Sequence, residues 1–324
     1  MGRRYLLLGV VTAGWGTIPV LAGWSHLPAG LVVAFRLWTA ALCLAVVLLV
    51  ERRRSRRGRD RVVGASNAAP SNAAPKLLSI APGRCCLTAA VLGLHWLALF
   101  AAYQRAPAGT VILIVYLAPI GVAALAPHML GERLGRRTVL ALGAALAGFA
   151  LLAGPTVRSA GATGLTYSLV AAVLFVALIV LSKPLATSYG GLRLAFMELA
   201  GAGVLVIPVA LTTHWPPIAV SWLWIVVIGV VHTALGITLY LSVLADIPAT
   251  HVAILSYLEP VVVVLAAWLW LGQQPGPATV AGGVLVVAAG VALAVSAAAP
   301  GGPACHRKPS GAGAGCADPA IPSL

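Results

Sequence analysis

PAGTVILIVYLAP, residues 107–119, returns without a gap as PATHVAILSYLEP, residues 248–260, with six of thirteen positions identical. The register holds beyond the motif: Gly131 follows Pro119 and Gly272 follows Pro260 by the same twelve residues, and each glycine closes an apolar run. An earlier echo, GLVVAF at residues 30–35 against GLRLAF at residues 191–196, sets the first parts of the two copies in the same order. The chain therefore reads as two copies of one unit.

With 60% hydrophobic and 9% charged residues and a mean hydropathy of +1.00, the composition lies far outside that of a soluble domain. The apolar runs have the length of membrane-spanning helices, about 20 residues, and lack the alternation of barrel strands. The expected class is an all-α integral membrane protein. Ten spans are expected, at 5–23, 29–50, 86–104, 108–130, 138–154, 163–182, 191–211, 220–243, 249–271 and 277–297. A short polar link at 156–163 separates five from five. Because five is odd, the second copy enters the membrane from the opposite side. This makes the halves, 5–154 and 163–297, inverted repeats about an axis in the membrane plane, and points to a transporter architecture.

Charge gives an independent reading of topology, since Lys and Arg of short loops collect on the cytoplasmic side. With the N-terminus inside, 18 of the 21 cationic residues fall in cytoplasmic segments, nine of them between Arg52 and Arg84. The expected location is the cytoplasmic membrane, crossed many times, with both termini in the cytoplasm. The Arg-rich run ERRRSRRGRDR at 51–61 lacks the interleaved aromatics and surrounding domain of a nucleic-acid site, so anionic membrane lipid is the expected contact and nucleic acid is not. The loop 51–84 and the Gly, Pro and Ala-rich tail 298–324 read as disordered. The opening MGRRYLLLGVVTAGWG has the pattern of a signal peptide, but its removal would break the five-plus-five symmetry, and retention is expected. Cys43, Cys85, Cys86, Cys305 and Cys316 have no zinc-type spacing, so neither a disulfide framework, a metal nor a cofactor is implied.

Function is sought on the polar groups within the spans, where an ionisable side chain costs about 2.5–3.5 kcal/mol on insertion scales. Counting 1.5 Å per residue from each helix start places Arg36, His95, His232 and Glu259 near the midplane, Glu198 nearer the cytoplasm, and Trp15 near the centre of its helix. Glu259 stands before Pro260, where the other copy has Ala118 before Pro119. Proline removes a helix hydrogen bond and crowds the carbonyl four residues back, Ser256 or Val115, which would turn backbone oxygen toward a cavity. A carboxylate there could load and release a proton, or pair structurally with Arg36. Arg36 cannot discharge, so it needs an anion, either a substrate carboxylate or phosphate or one of Glu259 and Glu198. His95 and His232 could relay protons or simply pack. Tyr116 and Tyr257, equivalent in the two copies, could line a pocket or simply pack. Glu132 is expected to anchor its helix end by pairing with Arg136. Gly143, Gly148, Gly282, Gly283 and Gly290 would serve close helix contacts.

Trp15-Gly16 in the first span, Phe35-Arg36 in the second, and the paired blocks ending LAP…LGERL and YLEP…LGQQ make the chain similar to the ten-helix, EamA-type members of the drug/metabolite transporter superfamily. The SYLEP segment also resembles bacterial amino-acid exporters of that group, including the threonine/homoserine type. The resemblance implies the ten-helix inverted-repeat fold and carriage, often outward, of small organic metabolites or drugs; alternating access follows from two halves that can rock around a midplane cavity. The substrate would be a small molecule such as an amino acid; the depth of Glu259, rather than the resemblance, points to protons as coupling ion, with a facilitated uniporter as the alternative. Pairing into a homodimer is left open. Gln273 and Gln274-Pro275 depart from the acidic residue usual in the family, as does the Arg-rich insert. Efflux of drugs or cations, a passive channel, and an enzyme acting on lipid-linked substrates are the alternatives. Against the enzyme, no HExxH and no intramembrane nucleophile with a base partner is found.

Overall fold

The structure, a computed structural model, describes residues 2–63, 82–106, 108–153, 161–215, 219–272 and 274–298. Every regular element among them is helical. The first part comprises α1 (Gly2–Trp15), α2 (Ile18–Ser25), α3 (Ala29–Val63), α4 (Pro82–Tyr103), α5 (Ala108–Val115), α6 (Ala118–Leu130) and α7 (Arg136–Ala153). The second comprises α8 (Ala162–Tyr189), α9 (Gly191–Leu205), α10 (Ile207–Thr212), α11 (Trp222–Val227), a π-helical segment (Ile228–Leu235), α12 (Gly236–Asp246), α13 (Ala249–Leu255), α14 (Leu258–Leu271) and α15 (Pro277–Ala298).

Seven helical stretches among the described residues are long and apolar enough to cross a membrane: Gly2–Ser25, Ala29–Arg56, Pro82–Tyr103, Ala162–Tyr189, Trp222–Asp246, Ala249–Trp270 and Pro277–Ser296. The chain is thus a multi-pass membrane protein. The other expected spans, 108–130, 138–154 and 191–211, also form helices, two of them interrupted.

The interruptions follow proline. Pro19, Pro119 and Pro208 each stand at the second position of α2, α6 and α10, and Pro260 stands at the third position of α14. There the missing N–H costs nothing, while the preceding helix loses its continuation. At three of these breaks the chain tightens into three-residue turns, as in Thr17 N to Gly14 O at 3.0 Å, Leu117 N to Ile114 O at 3.1 Å and Tyr257 N to Ile254 O at 3.2 Å. The Ser256 carbonyl is not freed as expected, because the Glu259 N–H donates to it at 3.1 Å. The repeat is also visible at the helix ends. Gly131 and Gly272 close α6 and α14 in the left-handed conformation, at φ 66° and 69°, which a side chain would resist.

One expectation needs correction. The chain does not become a loop at residue 51, since α3 carries the Arg-rich run onward as helix to Val63. Arginine is a good helix former, and a helix already nucleated in the membrane adds residues without a new nucleation cost. The rest of that loop, 64–81, most of the link 156–163, Gln273 and the tail from 299 lie outside the described residues.

Helix α4 packs on α8 and α9. The π segment and α12 pack on α1 and α3, α12 also touches α8 and α9, and α7 lies along α15. Gly148 permits that last contact, because a Cβ there would lie 2.7 Å from the Gly282 carbonyl, whereas Gly143 has nothing within 4 Å and serves no close contact. Gly16, at the first break, meets the start of α14 so closely that a Cβ would lie 2.6 Å from both the Glu259 carbonyl and Val262 Cβ. Gly16→Ala is therefore expected to cost about 1–3 kcal/mol by overpacking, read as a lowered melting temperature in detergent. Gly14→Ala, at an open position, is the control and should leave it unchanged.

At one end of the bundle, Trp24 meets Trp224 and Trp270, and Phe35 meets Trp215 and Trp222, the composition of an interfacial aromatic belt. The opposite end carries Arg4, paired with Asp246 at 3.0 Å.

Candidate functional site

The broken helices surround a cavity of about 460 Å³ lined from α1, α2, α3, α4, α5, α8, α9, α12 and α14. It opens at the tryptophan-rich end, where Tyr103 is 37% exposed, and closes toward Glu198, 2% exposed, and Leu244, 0% exposed. Six of the eight expected site residues line it: Trp15, Arg36, His95, Tyr116, Glu198 and Glu259.

The ion pair between Arg36 and Glu259, one of the two readings the sequence leaves open, is not formed. No carboxylate among the described residues lies within the 4.0 Å of an ion pair with Arg36. Its guanidinium instead stacks 4.1 Å from the centre of the Trp96 ring, and its Nε donates to Thr233 Oγ1 at 3.1 Å. The stack on Trp96 and one fixed hydrogen bond from Nε hold the guanidinium at the cavity wall. The Glu259 carboxyl lies against the Tyr116 hydroxyl and within the field of Arg36. At the closed end, Glu198 Oε1 accepts from Ser182 Oγ at 2.7 Å.

The π segment builds part of this geometry. One residue more per turn puts Thr233 where its hydroxyl donates to the Ile228 carbonyl at 2.8 Å while accepting from Arg36. The same widening offers the His232 carbonyl to Trp15 Nε1 at 2.7 Å, and the Tyr240 ring packs against the Trp15 ring at a tilt of 40°, 5.2 Å between centroids. Trp15 is thereby held as a fixed wall.

Two expected residues fall outside the cavity. His232 lies behind Trp15, with Nε2 3.0 Å from the Thr17 hydroxyl. Tyr257 is fully buried and donates to the Tyr116 carbonyl at 2.6 Å, so it braces the equivalent break of the other copy. His95 does line the cavity, but its Nδ1 lies 2.8 Å from the Ala171 carbonyl and must carry the hydrogen there, while the ring stacks on Phe175. Glu132, expected to pair with Arg136, pairs instead with Lys183 at 3.3 Å.

Trp96, Tyr103, Phe175, Tyr240 and Ser182 line the cavity without having been singled out by sequence. Aromatic residues cost little in a membrane, so they raise no flag there. Only the adjacency of Trp96 to His95 could have drawn attention. Among the described residues no cluster of His, Cys, Asp and Glu is suited to a metal ion. What the site offers is one guanidinium, two carboxylates and aromatic walls.

Comparison with known proteins bears directly on such a site. The EamA-like transporter family matches residues 3–154 and 162–296, each copy separately. An uncharacterized transporter of Archaeoglobus fulgidus is 28% identical over 194 residues, 60% of this chain and 69% of that protein. A "probable terminal-alkyne amino-acid exporter" of Streptantibioticus cattleyicolor is 29% identical over 186 residues, which take in 56% of this chain and 62% of the relative. The pseudopaline exporter CntI of Pseudomonas aeruginosa is 28% identical over 211 residues, 64% of this chain and 73% of the relative. A solved crystal structure of another protein, 18% identical, shares the fold with a TM-score of 0.70 over 90% of this chain and 96% of its own. Both copies of the repeat thus match one family of membrane carriers, and the chain belongs to the EamA-like transporter family.

Proposed function

We propose that the protein exports small amphipathic zwitterions, amino acids or their derivatives, by alternating access of the central cavity. The observation that carries this reading is the pairing of Arg36 and Glu259 in one aromatic-walled cavity without an ion pair between them. A buried cation and a buried carboxylate left apart are costly, and a ligand bearing a carboxylate and an ammonium satisfies both at once. Arg36 takes the carboxylate, Glu259 the ammonium, and Trp15, Trp96 and Tyr240 the apolar side chain. Two relatives named as exporters, one of them a probable terminal-alkyne amino-acid exporter, support the direction. Glu259 would also carry the coupling proton, so that loading substrate and loading a proton compete for one carboxylate.

In this reading the chain forms ten spanning helices in two inverted five-helix repeats, with both termini in the cytoplasm of a cell whose cytoplasmic membrane it crosses. The paired proline breaks, the paired glycine caps and the family match to each half support the repeats. Arg4 and the Arg-rich end of α3 support the orientation.

A second reading, efflux of organic cations, is favoured by the excess of carboxylates, Glu259 and Glu198 against Arg36, and by the aromatic walls. Thermal stabilisation of the purified protein by a panel of amino acids, their decarboxylated amines and cationic dyes separates the two. Zwitterions should stabilise and the corresponding amines should not. Stabilisation by amines that survives Arg36→Ala would transfer the assignment to cations.

A further inference from the structure

The cavity is closed at one end by an arrangement that the binding site itself does not use. Lys183 in α8 and Glu132 just past α6 approach to 3.3 Å, with side chains only 16% and 11% exposed. Neither spends itself on the other alone. Lys183 Nζ donates to the Leu244 carbonyl at 3.0 Å and to the Ile247 carbonyl, the two ends of the last turn of α12. Glu132 accepts the Ala249 N–H at 2.7 Å and the Thr250 N–H at 3.5 Å, at the start of α13. The corner from α12 to α13 is thus gripped from both sides, its carbonyls by the cation and its amides by the anion. Each polarity matches what an exposed helix end presents.

The grip lies directly beneath the cavity. Leu244, whose carbonyl Lys183 holds, is itself a residue of the cavity floor, and Ser182, the neighbour of Lys183, holds Glu198 there. Pro184 follows Lys183 and has no N–H for the Val180 carbonyl, so α8 is weakened at the level of the grip. A structural brace needs no such place. An element that must release when the floor opens does.

The geometry points to Lys183 and Glu132 as the inner gate of the carrier: the pair holds α6 and α8 to the α12–α13 corner while the cavity faces the tryptophan-rich end, and parts when the cavity faces the other side. This builds on alternating access but not on the identity of the substrate. The pair touches no substrate, and its part in transport is to set which face the cavity is open to.

Accessibility of single cysteines tests it in membrane vesicles, on a background with Cys43, Cys85, Cys86, Cys305 and Cys316 replaced. Leu244→Cys reports the floor to a membrane-impermeant maleimide applied at the face of Arg4, and Ala22→Cys reports the mouth to the same reagent at the opposite face. Glu132→Gln keeps an acceptor for the α13 amides but loses the charge, and Lys183→Met keeps the length of the chain. Either is expected to speed labelling of the floor by about tenfold or more and to slow labelling of the mouth, because removing a contact made in one state shifts the population to the other. Unchanged labelling at both positions overturns the gate. So does faster labelling of both together, the sign of a brace whose loss loosens the bundle. Substrate added to protein with neither change separates this from failure of the carrier reading, since it should shift labelling between floor and mouth whatever the two variants do.

Discussion

Glu259→Gln should abolish proton movement driven by substrate in proteoliposomes while leaving the protein folded. The carboxylate is the one anion of the cavity placed opposite Arg36, with the Tyr116 hydroxyl against it. An amide of the same shape keeps the packing but holds no proton and offers an ammonium only a neutral oxygen. Losing a charge-assisted hydrogen bond is worth about 1.5–3 kcal/mol, roughly a tenfold to hundredfold loss of apparent affinity. Exchange of substrate for substrate, which moves no net proton, should then persist at reduced affinity, and net proton-coupled transport should not. Glu259→Gln transport at the unaltered rate and with unaltered coupling would remove Glu259 from the mechanism.

Arg36 carries the second large effect. Its guanidinium is held by the Trp96 face and by Thr233, a geometry that depends on a flat, delocalised cation. A lysine in its place would be a point charge that neither stacks as well nor presents two parallel donors to a carboxylate. Arg36→Lys should therefore raise the KM for a zwitterionic substrate by about tenfold or more with a smaller effect on the maximal rate. Arg36→Ala should abolish saturable binding of the zwitterion altogether, since it also leaves Glu259 without its opposite charge. Trp96→Leu should act in the same direction as Arg36→Lys and more weakly, because it removes the stack and keeps the charge. Initial-rate kinetics on the three variants, reconstituted at equal protein density, give the order. A KM for Arg36→Lys equal to that of the unaltered protein would contradict the assignment.

The sequence revealed as much of the site as hydropathy and depth can carry. Depth along a helix is a count of residues, and it brought Trp15, Arg36, His95 and Glu259 to one level, where the structure finds them around one cavity. Depth says nothing about direction around the helix axis. His232 sits at a fitting depth but faces away from the cavity, and no periodicity in the sequence announces the π segment that turns Thr233 toward Arg36 instead. Tyr257 and Tyr116 looked equivalent because the repeat makes them so, yet one braces the other's carbonyl and only Tyr116 reaches the cavity.

The pairing of Glu132 shows a related limit. An i+4 partner is visible in sequence, whereas Lys183 becomes a neighbour only once α6 and α8 are packed. The proline breaks were legible as breaks, since the chemistry of proline is local. Where the Ser256 carbonyl would send its lone pair was not, because the three-residue turn that uses it forms only with the rest of the break. The Arg-rich run misled for a different reason: its composition is that of a disordered segment, and the membrane helix it continues makes it helical.

Whether the cavity carries a zwitterion across the membrane is tested by counterflow of a labelled amino acid into proteoliposomes loaded with unlabelled substrate. The expected result is transient, saturable accumulation of label that is chemically unchanged, blocked by other amino acids, unaffected by the matching amines and absent from Arg36→Ala. Accumulation of amines but not amino acids, flux that never saturates, or label recovered in covalently altered form would contradict it.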